Sequence, residues 1–101
     1  MTDGDRDRVV HREAVVINRR GLHARAAAMV ARVAGRFAAE MTVATKDEEV
    51  SALSIMGMLM LAATTGTTLR ITAAGADATD AADTLARIVE NGFEEEDLPG
   101  D

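Results

Sequence analysis

The chain offers few groups able to do chemistry near neutral pH: two histidines, no cysteine, no tyrosine and no tryptophan. His23 is the better placed of the two histidines. It follows the turn-forming run Asn18-Arg19-Arg20-Gly21 and directly precedes a helical pattern that starts at Ala24. A helix start presents backbone N–H groups without intrahelical acceptors and the positive end of the helix dipole, and both favour a phosphate or a carboxylate. Imidazole titrates near neutrality, so a neutral fraction is available as a nucleophile. Arg25 keeps its charge at any physiological pH and can hold phosphate oxygens from the first helical turn. A nucleophile, a helix start and an arginine are what reversible phosphoryl transfer through histidine needs. The same residues also fit a histidine that only caps a helix beside a surface arginine, and the physics of the spacing alone favours that plainer alternative. His11, next to Arg12 in the first strand, has no metal-ligating partner at useful spacing and reads as a surface strand residue.

Composition narrows the classes further. With 101 residues and 10.7 kDa the chain makes one small domain. Twenty alanines and only two aromatic residues imply a thin core that needs nearly every helix and strand packed on its neighbours. The lack of cysteine excludes a disulfide scaffold, an iron–sulfur site, a thiolate zinc site and a cysteine nucleophile. Residues 1–12 carry six charges and no apolar run, unlike a signal or transit peptide, and Ile55 to Ala63 is too short to span a bilayer. A cytoplasmic domain without cofactor, metal or membrane is expected. Net charge is −6, which argues against nucleic acid. The charge is uneven: residues 1–40 hold eight arginines against five acids, and residues 41–101 hold three basic residues against twelve acids. A basic first half suits an acidic partner or an anionic ligand.

The elements that must position His23 follow from periodicity. Val9 to Ile17 reads as a strand. From Ala24 a helix is expected, with Ala26, Val30, Val33 and Phe37 as its buried stripe and Arg25, Arg32 and Arg36 on a neighbouring face. Met41 to Thr45 alternates as a half-buried strand, Lys46-Asp47-Glu48 turns, and Glu49 to Ala52 returns as a second short strand. Ser54 is placed to cap a short Met- and Leu-rich helix that Gly66 would close. Thr68 to Ala73 is the clearest strand, with Leu69, Ile71 and Ala73 facing one way. Asp77 should cap the last helix, with Ala81, Ala82, Leu85, Ile88 and Val89 buried and Gly92 as the stop. The order β-α-β-β-α-β-α, with polar tails at 1–8 and 94–101 around a domain at 9–93, implies a two-layer α+β fold.

The string Val16-Ile17-Asn18-Arg19-Arg20-Gly21-Leu22-His23-Ala24-Arg25-Ala26-Ala27 resembles the active-site signature of the HPr family, the histidine-containing phosphocarriers of the phosphoenolpyruvate-dependent phosphotransferase system. Ser54-Ile55-Met56-Gly57 resembles the family's regulatory-serine region, and Gly75-Ala76-Asp77 is a third, weaker match. The resemblance runs from about Glu13 to Phe93 in the family's order. It implies an HPr-like open-faced β-sandwich: an antiparallel four-stranded sheet in the order 1-4-2-3, covered on one face by three helices. It also implies that His23 accepts phosphate on Nδ1 from phosphorylated enzyme I and passes it to an enzyme IIA-type acceptor, while Arg25 orients the phosphoryl oxygens. Such a chain is a phosphoryl carrier rather than a free-standing enzyme, and is expected to be a monomer. Two positions depart from the family pattern: Ala26 stands where proline is usual, which loosens the site without removing its chemistry, and Leu53 stands where lysine often precedes the serine.

The resemblance also places partner docking on the short helix, at Ile55, Met56, Leu59 and Met60; Ala28 and Met29 on the first helix can extend the patch, and Arg32 and Arg36 are either its charged rim or only a solvated face. Spacing of this kind is more often core. A helix this short cannot bury all four residues, however, and methionine suits a surface that meets several partners. Ser54 is either a plain N-cap, contributing about 1 kcal/mol, or the target of a serine kinase/phosphorylase whose phosphate would repel an acidic partner.

Overall fold

The computed structural model describes residues 8–94. The expected tails therefore lie outside the described residues, apart from Arg8 and Glu94. Runs of β-branched residues with period-two alternation give β1 (Val9–Val15), β2 (Glu40–Ala44), β3 (Glu49–Ser51) and β4 (Thr68–Ala74). Helical patterns give α1 (Ala24–Ala34), α2 (Ile55–Met60) and α3 (Ala78–Glu90), and a short 3-10 turn follows at Gly92–Glu94. The strands form one antiparallel sheet in the order β1-β4-β2-β3. Its register pairs Ala14 with Leu69, Ile71 with both Arg12 and Val43, and Ala73 with both Val10 and Met41. Directly paired residues share a face, so Leu69, Ile71, Ala73, Ala14, Met41 and Val43 line the buried side, where the helices pack. Thr68, Arg70 and Thr72 turn to the uncovered side, where His11 is exposed and its Nδ1 lies 3.0 Å from Thr72 Oγ1.

The alanines set the distance between the layers. Ala26, Ala27 and Ala34 of α1, and Ala78, Ala81, Ala82 and Ala86 of α3, are all buried; the small side chains let α3 lie close on β1 and β4, and α1 pack against α2 and α3. A small apolar void remains among Leu22, Val30, Met58, Ile71, Leu85 and Phe93, as expected where few large side chains are available to fill a core. Phe93 is buried despite a left-handed backbone (φ 59), so the 3-10 turn folds it back under α1 and α3.

Several local expectations are corrected by tertiary contacts. The β1 ladder ends at Val15, not Ile17, because β4 begins at Thr68. Val16 stays buried nonetheless, its N–H donating to Thr67 O (2.9 Å) and its carbonyl accepting from Gly66 N–H (2.8 Å). Helix α1 stops at Ala34, so its buried stripe is Ala26, Ala27, Val30 and Ala34, while Val33 and Phe37 are half-buried at the rim. Gly66 does not close α2. That helix ends at Met60, Ala62 takes a left-handed turn (φ 53), and Gly66 (φ 94) serves the later turn into β4. Asp77 occupies the N-cap position of α3 but does not cap it. Its carboxylate instead accepts Ala38 N–H at 2.9 Å and Ala39 N–H at 2.8 Å, satisfying the bend that leads into β2.

Candidate functional site

The loop from Val16 to Leu22 joins β1 to α1, and the segment Ala63–Thr67 beneath it holds its shape. Leu22 N–H donates to Ala63 O at 3.0 Å. Gly21 has φ 66, and a Cβ there would lie 2.4 Å from Ala63 O, so only glycine admits this approach. Asn18 Nδ2 donates to Gly21 O at 2.9 Å, and His23 N–H donates to the same carbonyl at 3.0 Å. Thr65 Oγ1 donates to Asn18 O at 2.6 Å. Leu22 is buried in the core, which anchors the backbone one residue before His23.

His23 therefore stands as the N-cap residue of α1, extended (φ −84, ψ 179) and half-buried, and its side chain does not cap the helix. The plainer alternative, a histidine serving as a cap, loses its main support. The first helical hydrogen bond closes from Ala27 N–H to His23 O at 2.8 Å. By helix geometry the N–H groups of Ala24, Arg25 and Ala26 precede that ladder and have no intrahelical acceptor. No acidic residue occupies the first turn of α1, and Arg25 within it is exposed and makes no ion pair among the described residues. The helix dipole and Arg25 both contribute positive potential at this helix start, and no acidic residue on the helix offsets them. Chemically, the arrangement can receive a phosphoryl group next to a nucleophilic ring. Among the described residues no group of three His, Cys, Asp or Glu side chains could hold a metal ion, and no helix is long and apolar enough to cross a membrane.

The second sequence-predicted region is α2. Ser54 caps it as expected, accepting Gly57 N–H on Oγ at 2.9 Å. Gly57 is needed there, since a Cβ would lie 2.9 Å from Ser54 Oγ and 3.1 Å from Val50 Cβ. Only Met58 of this helix is buried. Met56 and Met60 are more than seventy per cent exposed, Ile55 is exposed at the margin, and Leu59 is half-buried. Ala28 and Met29 are half-buried on α1, which packs against α2, and Arg32 and Arg36 are exposed. Leu53 adds a further exposed apolar side chain beside Gly35 at the end of α1. In the sequence Leu53 stands out only as a departure from the family pattern and Asn18 only as a turn residue, and nothing there marks Ala63 or Thr65 as supports of the loop. The Asn18-to-Gly21 spacing carried a turn signal, but nothing local marks residues about 45 positions away as its supports.

Comparison with known proteins follows the same outline. Residues 10–91 match the family model described as the PTS HPr component phosphorylation site. The phosphocarrier protein HPr of Xylella fastidiosa is 40% identical over 88 residues, which cover 87% of this chain and 99% of that protein. The phosphocarrier protein NPr of Shewanella violacea is 37% identical over 86 residues, covering 85% of this chain and 94% of its own. The crystal structure of HPr-C-His from Thermoanaerobacter tengcongensis superimposes with a TM-score of 0.80 at 32% identity, covering 86% of this chain and 98% of that one.

Proposed function

The chain belongs to the HPr family of phosphotransferase-system phosphocarriers, and on that premise we propose that His23 is its phosphoryl acceptor. In this reading Nδ1 of neutral His23 attacks the phosphorus carried by phosphorylated enzyme I. A P–N bond forms at His23 as the bond to the donor breaks, and the donor keeps the bonding pair. The same step in reverse sense passes the group to an enzyme IIA-type acceptor. Arg25 and the first N–H groups of α1 neutralise the phosphoryl oxygens during both steps. The carrying observation is that His23 sits at a helix start with Arg25, and no acidic residue, in the first helical turn.

Docking is assigned to Ile55, Met56, Leu59 and Met60, with Ala28 at the edge. The exposure of Ile55, Met56 and Met60, with Leu59 half-buried, on a helix that buries only Met58 supports this. A phosphate on Ser54, delivered by a serine kinase, would add roughly two negative charges beside that patch and weaken binding to an acidic partner. The chain acts as a cytoplasmic monomer. The similarity to an NPr leaves the nitrogen-related branch as the alternative destination to sugar transport.

Incubation with enzyme I and labelled phosphoenolpyruvate tests the proposal. The protein should acquire acid-labile phosphate, and His23→Ala should acquire none while keeping its fold. Normal incorporation by His23→Ala would overturn the assignment. Discharge by a sugar-type or a nitrogen-type enzyme IIA then identifies the branch.

A further inference from the structure

We infer that Thr65 is a positioning residue for His23, tying the acceptor loop to the segment that leaves helix α2; the inference rests on the carrier reading above. Four close hydrogen bonds, each 3.0 Å or shorter, connect the loop to that segment, beside a longer one from Thr65 Oγ1 to Arg19 O at 3.5 Å: Val16 N–H to Thr67 O, Gly66 N–H to Val16 O, Leu22 N–H to Ala63 O, and Thr65 Oγ1 to Asn18 O. Three of them run between backbone groups. The fourth comes from a side chain and is the shortest, at 2.6 Å. Its acceptor, the Asn18 carbonyl, belongs to the residue whose Nδ2 holds Gly21 O, and Gly21 O in turn accepts His23 N–H. Thr65 thus stands at the head of a three-step relay that ends on the backbone of the nucleophile.

The anchor at the other end is itself well held. Thr64 N–H donates to Thr67 Oγ1 at 3.1 Å and Thr67 N–H donates to Thr64 O at 2.9 Å, closing the turn that presents Thr65. That turn follows α2 after the left-handed Ala62. The exposed apolar side chains of α2 and the ring of His23 are therefore held in one register. A partner seated on α2 meets the acceptor nitrogen at a set distance and angle, and small errors in such an alignment cost rate steeply. The Thr65 bond acts after docking, on alignment rather than on affinity.

Thr65→Val removes the hydroxyl at nearly constant shape, and Thr65→Ser restores it. With phosphorylated enzyme I as donor, Thr65→Val should lower kcat about tenfold with KM within about twofold, and Thr65→Ser should stay within about twofold of the parent in both. Amide exchange of Leu22 should quicken about tenfold in Thr65→Val and not in Thr65→Ser. Unchanged kcat in Thr65→Val overturns the inference. So does a Thr65→Ser protein as slow as Thr65→Val, which would assign the effect to the methyl group, or a change confined to KM. If the parent chain takes up no phosphate, the carrier reading fails instead, and the Leu22 exchange comparison decides the positioning role on its own.

Discussion

Replacing Gly21 by alanine separates two costs that usually travel together. Gly21 and Gly66 both have positive φ, at 66° and 94°. Conformation alone would rank Gly66→Ala as the equal or worse substitution, because 94° lies further from the left-handed well that side chains tolerate. Space reverses the order. A Cβ at Gly66 meets nothing within 4 Å, whereas at Gly21 it lies 2.4 Å from Ala63 O and 3.1 Å from Thr64 Cα. Both of those atoms are backbone, so no side chain can swing away. The Gly66→Ala cost is the conformational one, about 1–2 kcal/mol. Gly21→Ala adds to a similar conformational cost roughly 1 kcal/mol for the stretched Leu22-to-Ala63 hydrogen bond and about 1–2 kcal/mol for the forced displacement. The total is about 3–5 kcal/mol, or a fall in Tm of very roughly 12–40 °C for a domain of this size. Urea unfolding of the two variants reads the difference directly, and the phosphoryl-transfer rate should fall in Gly21→Ala alone. Equal destabilisation, or Gly66→Ala as the weaker protein, would refute the view that contact with Ala63 holds the acceptor loop.

Three further outcomes follow from particular contacts. Asp77→Ala should destabilise by about 2–3 kcal/mol in urea unfolding, because the N–H groups of Ala38 and Ala39 lose their acceptor; a loss below about 0.5 kcal/mol would mean that water replaces the carboxylate there. Ala62→Gly should stabilise by roughly 0.5–1 kcal/mol by relieving the left-handed backbone at φ 53, and a lowered urea midpoint would contradict that. Met56→Glu should leave stability unchanged, since the side chain is exposed, yet raise KM for enzyme I at every salt concentration by placing an unpaired charge in the contact. Steering by the arginines of the first half should instead fade with salt, over a screening length of about 8–10 Å; a Met56→Glu effect that salt abolishes would show that the patch is not buried in the complex.

Much of the molecule is legible in the order of its residues, for local reasons. Period-two alternation located the strands, because a one-residue shift would move Leu69, Ile71 and Ala73 out of the core. The run from Asn18 to Ala27 carried the turn, His23 and the helix start together, since a helix N-terminus is made by consecutive residues. The Ser54 cap was legible for the same reason, its partner Gly57 lying three residues on.

What the sequence could not show is whatever depends on segments distant in the chain. Asp77 looked like a cap for its own helix, but the packing of Gly75 against Ala39 brought two bend N–H groups closer to its carboxylate. The end of α1 at Ala34 and the exposure of Met56 and Met60 depended on which faces found partners, and helical spacing is silent on that. The loop before His23 is the clearest case. Gly21 is glycine because Ala63 O presses on it, and Thr65 reaches Asn18 only once β1 and β4 have paired in register. Residue types and local spacing determined which groups could carry phosphate. Pairing between strands far apart in the chain decided how those groups are held, because a hydrogen bond of this kind exists only after folding has brought both of its ends together.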